Sequence, residues 1–292
     1  MSERAFIEAL RRLPAHPGAR NFDDDCAVIE IGGETLVLTH DMMVAGVHFL
    51  PEQDPADIAW KLVATNMSDL AAKGAAPVGV LLGYMLDADD ARFLAGLEEA
   101  LTHYNAPLLG GDTVSGTGSQ ALGLTAIGRA THRPAPSRGG AGPGDALWIT
   151  GPVGAAMLGL EALRAGSGAN SDSSLAYRRP RALLAEGQAL APLVTAMMDV
   201  SDGLLLDASR MANASGVTLA IERDAVPIAA PEPRRDEALR WGDDYQLLFT
   251  LPRGIEPPLA AHRIGEVRAR SDAAALLDGA PLADTGLGYE HR

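Results

Sequence analysis

Acidic residues recur at stations along this chain: Asp24-Asp25, Asp41, Asp69, Asp112, Asp199, Asp202 and Asp243-Asp244. Nearly all stand where an apolar run ends or a helical pattern begins. One such residue alone reads as a helix cap or half of an ion pair. Several converging on one spot read as a metal site, because a buried carboxylate without a partner costs several kcal/mol. No His-x-x-Glu-His pattern occurs, and the single cysteine, Cys26, cannot make a paired-thiolate site, so zinc is disfavoured. Oxygen ligands alone suit a hard cation such as Mg2+. Mg2+ held by several carboxylates serves a polyphosphate, and the chemistry that follows is phosphoryl transfer. No Gly-x-x-x-x-Gly-Lys-Ser/Thr occurs, so this is not a P-loop protein.

The elements that must position these residues start with residues 35–39, β-branched and apolar, which read as a strand. Asp41 is expected just past its end. Pro55-Ala56-Asp57 opens a helix. Ile58, Leu62, Thr65 and Asp69 fall on one side of it. Ala59, Ala64, Ser68, Ala71 and Ala72 make the helix small enough to pack closely, so Asp69 is expected to be partly buried. Asp23-Asp24-Asp25 precede a strand, as a solvated turn or around a cation. Gly32-Gly33 reads as a hairpin turn. Residues 78–86 read as a strand buried on both faces, followed by a helix from Asp89-Asp90 to Tyr104-Asn105. Gly110-Gly111 allow close backbone approach, and Asp112 is expected after that strand. With a strand at 121–128, the first half runs β-β-α-β-α-β-β. Gly116-Thr117-Gly118 precedes a strand rather than a helix, so it reads as a hairpin loop, not a dinucleotide fingerprint.

Residues 131–144 are rich in Pro and Gly, which marks a domain boundary. Domains are placed at 1–136 and 137–292. Arg138, inside that segment, is either a solvated linker residue or a phosphate holder. A strand at 146–150 leads through Gly151–Gly154 into a helix, whose start is either an anion site or plain strand-to-helix packing. A Gly/Ser/Asn loop is expected at 165–174 and a helix from Pro180 toward Leu190. Asp199-Val200-Ser201-Asp202-Gly203 links a strand to a helix. Ser201 and Asp202 fit helix caps, but Asp199 and Asp202 facing one ligand is the preferred reading. A strand at 216–221, a short helix at 233–240, an acidic turn at 242–245 entering a strand, and a hairpin at Asp278-Gly279 complete the chain. His48 is either a ligand or substrate contact or a packed loop histidine.

The chain has 292 residues, 47% hydrophobic and 4% aromatic, with a net charge of −14. That charge argues against broad contact with nucleic-acid phosphates. One cysteine fits a reducing cytoplasm. The N-terminus reads as a short amphipathic helix, too charged for a signal peptide, and no apolar run is long enough to span a bilayer.

Taken together, Asp24-Asp25-Cys26-Ala27, Thr39-His40-Asp41 with Ala45-Gly46-Val47-His48-Phe49, Asn66-Met67-Ser68-Asp69-Leu70-Ala71-Ala72-Lys73-Gly74, Leu109-Gly110-Gly111-Asp112-Thr113, Asp199-Val200-Ser201-Asp202-Gly203-Leu204 and Gly242-Asp243-Asp244-Tyr245 resemble the thiamine-monophosphate kinase family. That family sits in the superfamily of aminoimidazole ribonucleotide synthetase. The resemblance covers nearly the whole chain. It implies an α+β fold of two α/β-type domains: an N-terminal mixed sheet that pairs with its copy in the barrel of a homodimer, and a C-terminal sheet with helices. It implies ATP-dependent phosphorylation of thiamine monophosphate, with ATP as co-substrate and several Mg2+ ions. The implied metal positions are Asp25, Thr39, His40 (through its backbone), Asp41, Asp69, Asp112, Asp199 and Asp202. Tyr104, Gly111, Asp112, Arg138 and Ser201 match ATP-contacting positions. His48, Asp243 and Tyr289 match acceptor-site positions. No dedicated general base is implied.

The chain departs from the family pattern in four places. Asp23 stands for a glycine, His40 for Ser or Thr, and Asp243 for Glu after a shortened loop. The family's last aromatic is absent after Tyr289-Glu290-His291-Arg292. Two other readings stand beside the kinase: a sister enzyme of the selenophosphate or aminoimidazole ribonucleotide synthetase type, and a non-catalytic Mg–nucleotide-binding regulator.

Overall fold

The computed structural model describes residues 3–166, 171–283 and 285–290, with side chains from residue 5 onward. Part of the Gly/Ser/Asn loop expected at 165–174 lies outside the described residues, as do His291 and Arg292. The chain opens with α1 (Glu3–Leu10). The first sheet has five strands: β1 (Ala27–Ile31), β2 (Glu34–Val44), β3 (Ala75–Met85), β4 (Leu108–Val114) and β5 (Ala121–Ala130). Their order is β1-β2-β5-β3-β4. Gly32 and Gly33 turn the β1–β2 hairpin with φ of 60° and 83°, conformations that cost glycine little.

Two expectations change here. Asp41 lies within β2 rather than past its end, because the pairing with β5 continues through Val44↔Ala121. Residues 115–120 are not a hairpin loop. β3 and β4 are parallel, joined through α3 (Asp90–Tyr104), and β5 inserts between β2 and β3. The 115–120 segment therefore crosses the end of β3.

Helix α2 (Pro55–Ala72) is the shared wall of the protein. Asp54 caps its first turn by accepting from Ala56 N. Its Ile58, Leu62, Val63 and Met67 pack with Val37, Val80, Leu122 and Leu124 of the first sheet. Its last turn, Ala71-Ala72, packs against Trp148, Met197 and Phe249 of the second sheet. A helix covered on several sides needs small residues and close neighbours. Gly96 of α3 supplies one: a Cβ there would lie 2.3 Å from Ala56 Cα. Gly96→Ala is expected to lower stability by about 1–3 kcal/mol through overpacking, read as a lower urea midpoint at unchanged slope.

The second sheet has seven strands: β6 (Ala146–Ile149), β7 (Ala196–Asp199), β8 (Val217–Ile221), β9 (Leu247–Leu251), β10 (His262–Ala269), β11 (Ala275–Leu277) and β12 (Ala280–Pro281). Their order is β12-β11-β8-β10-β6-β9-β7. Between β6 and β7 come α4 (Ala155–Arg164), α5 (Leu175–Arg178) and α6 (Leu184–Leu190). The helix expected from Pro180 thus starts only at Leu184. Helix α7 (Leu204–Ser215) follows β7 and buries Leu204, Leu205, Ala208 and Met211 against the sheet, and α8 (Arg235–Ala238) precedes β9.

The strand expected to be buried on both faces is not: Val78 and Leu81 of β3 are exposed. Leu81, Thr125 and His40 stand side by side across β3, β5 and β2, on the face away from Asp41. Met42 on the same face and Leu108 and Val114 on the β4 edge are also exposed.

Candidate active site

A cleft of about 1260 Å³ opens between the two sheets beside α2. Its walls include Asp41 and His48 from the β2 region, Lys61 and Asp69 from α2, Asp199 at the end of β7, Ser201 and Asp202 just after it, and Asp243, Tyr245 and Tyr289.

Asp69 and Asp199 of its lining and the adjoining Asp25 each bring a carboxylate oxygen within 4.8 Å of the others. Three elements converge there: the segment before β1, the last turn of α2 and the end of β7. Local hydrogen bonds aim the acids. The Thr39 hydroxyl donates to Asp69, and Ser68 Oγ donates to Asp199 Oδ2 at 2.6 Å. Asp25 Oδ2 is buried, with the Lys73 ammonium 2.6 Å away. Three carboxylates from three separate elements, their oxygens within 4.8 Å of one another, are a donor set that fits a hard divalent cation.

Like charges this close resist ionising together. Burial first, then Asp202 and Asp25, push Asp41 up to about 6. Burial, then Asp25, pushes Asp199 up to about 8, against the Ser68 hydrogen bond. Burial, then Asp41 and Asp199, raise Asp69 well above the ordinary range. The folded protein without metal thus holds protons that the unfolded chain releases near 3.8. The stability this gives is fully present below that value and is lost as pH rises through about 8. Urea melts in EDTA are expected to weaken from pH 5 to pH 8, and millimolar Mg2+ is expected to flatten the slope; equal midpoints at both pH values in EDTA would contradict this.

Ser201 and Asp202 do not cap α7 with their side chains. Gly203, at φ 118°, takes the cap position. Asp207 Oδ2 instead accepts from Ser201 N and Asp202 N, at 3.1 and 3.0 Å. That frees Asp202 for the cleft, where Arg210 Nη1 reaches its Oδ2 at 2.5 Å. The backbones of Asp243 and Tyr245 zip onto Ser201 O and Val200 O, at 2.8 and 2.9 Å, and Tyr289 N bonds Asp202 O at 2.9 Å.

Arg138 is not a solvated linker residue: its side chain is largely withdrawn from solvent, 17% exposed. Its Nε donates to Asp25 Oδ1 at 2.8 Å. The helix start after Gly151–Gly154 is filled by the protein itself: Asp244 accepts from Gly154 N at 2.5 Å and Ala156 N at 3.1 Å. His48 Nδ1 accepts from Val44 N at 3.1 Å. The His40 ring lies on the far sheet face against Thr125, so only its backbone is near Asp41.

Three expected positions are not gathered here by the single chain. Gly111 and Asp112 lie on the exposed edge strand β4. The Tyr104 ring is buried, its hydroxyl accepting from Ala182 N at 3.1 Å.

Sequence reasoning missed two lysines. Lys73 is fully buried against Asp24 and Asp25. Lys61 is 1% exposed; its Nζ reaches Asp243 Oδ2 at 2.8 Å and His48 O at 3.0 Å and sits 3.8 Å from the Tyr177 ring centroid. Asp243 Oδ1 accepts from Tyr245 at 2.9 Å. The available signal was a lysine on each small-residue face of α2 and its cap.

Residues 23–130 match the AIR synthase related protein N-terminal domain, and residues 142–277 match its C-terminal domain. The thiamine-monophosphate kinase of Escherichia coli (strain K12) is 36% identical over 298 residues, covering 92% of this chain and 90% of that protein. The structure of AaThiL complexed with AMPPCP and TMP superposes with a TM-score of 0.88 at 28% identity, over 100% of this chain and 97% of that one. Thiamine monophosphate kinase from Aquifex aeolicus superposes at 0.79 and 26% identity, over 96% of each chain. Identity of this extent along both domains decides the matter: the chain belongs to the thiamine-monophosphate kinase family.

Proposed function

We propose that this protein transfers the γ-phosphoryl group of ATP to thiamine monophosphate, giving thiamine diphosphate and ADP. The observation that carries the reading is one cleft lined by Asp69 and Asp199 of the carboxylate cluster and by His48, Asp243 and Tyr289. A phosphate oxygen of the acceptor attacks the γ-phosphorus, and the bond to the bridging oxygen of ADP breaks.

Asp25, Asp69 and Asp199 would hold Mg2+, with Asp41 and Asp202 beside them and Thr39 and the His40 backbone adjoining. Bound Mg2+ supplies charge neutralisation of the polyphosphate and polarises the transferring group. The chain's own residues position the reactants. Thr39 and Ser68 hold two carboxylates in register. Arg138 and Ser201 would receive the ATP phosphates. His48 and Asp243 orient the acceptor, and no side chain is required as general base because the acceptor phosphate is anionic at neutral pH.

Gly111, Asp112 and Tyr104 lie outside the cleft of one chain, so their ATP and metal roles require a second copy or a rearrangement. A homodimer through the exposed face and β4 edge of the first sheet is the reading adopted, supported by exposed Met42, Leu81, Leu108 and Val114. Light scattering at micromolar concentration is expected to give twice the 30.4 kDa chain mass; a monomer mass would refute it. The domain boundary is placed at 136/137, a placement supported by the gap between the two matched segments. Among the described residues no helix is long and apolar enough to cross a membrane.

The test is ADP release with ATP and a panel of acceptors. Thiamine monophosphate should support turnover, while thiamine and unrelated phosphate monoesters should not. Equal turnover with all acceptors, or none with any, would end the reading.

A further inference from the structure

Lys73 is the residue just past α2, at its C-cap, and its side chain is fully buried. Its Nζ lies 2.5 Å from Asp24 Oδ1 and 2.6 Å from Asp25 Oδ2. A third contact, Met197 O at 3.2 Å, ties it to β7 two residues before Asp199. The ammonium therefore touches two of the three segments that bring acids to the cluster. Burial favours its loss of charge, but Asp24 and Asp25 outweigh that and hold it protonated above the ordinary lysine range.

Asp25 is bracketed by cations of the chain. Arg138 takes Oδ1, and Lys73 sits against Oδ2. Asp24 is likewise held by Arg20 Nη1 at 2.5 Å on its other oxygen. A charge fixed beside a ligand atom in a dry interior acts on a divalent ion twice. It offsets the attraction of Asp25, and it repels the ion directly at close range. It cannot swing away, because no solvent reaches it.

We propose that Lys73 is a resident cation of the carboxylate cluster, standing at its Asp24–Asp25 edge and setting how tightly that edge takes a divalent ion. In the nucleotide-free protein the lysine supplies charge balance that a dissociable ion would otherwise supply. Metal loading at this edge then depends on the added anionic charge of the nucleotide. The inference rests on the reading of Asp25, Asp69 and Asp199 as a metal site.

The test is titration of Mn2+ alone into the full chain, followed by electron paramagnetic resonance of free Mn2+ and by calorimetry. Lys73→Met keeps the length and apolar stem and removes the charge; Lys73→Gln keeps hydrogen bonding. Both variants are expected to bind Mn2+ at least tenfold tighter than the parent, or to gain one further equivalent. A dissociation constant within twofold of the parent at equal stoichiometry would overturn the proposal, as would weaker binding. If Lys73→Met folds poorly in EDTA, recovery of the parental melting temperature in millimolar Mg2+ supports the proposal, and an equal deficit with and without Mg2+ overturns it. Asp69→Asn and Asp199→Asn separate the two layers. If parental Mn2+ binding is indifferent to both, the metal reading itself falls. If it depends on them but not on Lys73, only the lysine inference falls.

Discussion

Asp69→Asn is expected to lower turnover by roughly 10²–10³-fold, the loss of several kcal/mol of charge stabilisation. The variant keeps the size of the side chain and an acceptor for the Thr39 hydroxyl. It removes one negative charge from a group that already faces Asp41 and Asp199. Folding should therefore not suffer, and in EDTA at pH 8 the melting temperature should hold or rise. Catalytic loss without structural loss separates a metal ligand from a core residue. The measurement is turnover against Mg2+ concentration, alongside a thermal melt. Unchanged turnover and Mg2+ dependence would show that Asp69 is a structural acid and that the cluster reading is wrong.

The second large effect concerns Asp243. Its position in the family motif suggests a carboxylate facing the cationic end of the acceptor, with a binding loss of about 1–3 kcal/mol on Asp243→Asn. The structure gives that carboxylate prior partners: Lys61 on one oxygen and Tyr245 on the other. Asp243→Asn would strand a lysine that is 1% exposed. Removing one partner of a buried ion pair costs about 3–5 kcal/mol, whereas replacing both is near neutral. Asp243 is itself 30% exposed and Lys61 keeps His48 O, so Asp243→Asn is expected to destabilise the fold by less than that, about 1–3 kcal/mol. Lys61→Met combined with Asp243→Asn is expected to recover most of it. Urea melts of the two single variants and the double variant give the coupling. If the singles are as stable as the parent, Lys61 is not held by Asp243. Calorimetry with thiamine monophosphate and with ATP then reads the binding role separately, on the double variant, where folding no longer confounds it.

Local signals were legible. Gly32-Gly33 and Asp278-Gly279 announce their hairpins because a tight turn needs positive φ, and both pairs show it. The start of α2 was readable from Pro55 and its acids, and the acid stations from residue type alone. What depends on distant partners was not. Asp41 falls inside β2 because β5 pairs with it, and nothing near Asp41 says so. The 115–120 segment looked like a hairpin because strand order is not a local property. Val78 and Leu81 read as buried because an apolar strand does not say whether its second face is covered. Nothing local marks Lys61 and Lys73 as buried, since the carboxylates that hold them lie far away in sequence: Asp243 for the first, Asp24 and Asp25 for the second. The same distance explains Arg138, which became a partner of Asp25 rather than a linker residue.

The most direct test of the whole account follows the fate of the γ-phosphate. With ATP labelled at the γ position, Mg2+ and thiamine monophosphate, the label should appear in thiamine diphosphate, one equivalent for each ADP formed. EDTA should stop the transfer. Label appearing only as free inorganic phosphate, at a rate indifferent to thiamine monophosphate, would contradict it.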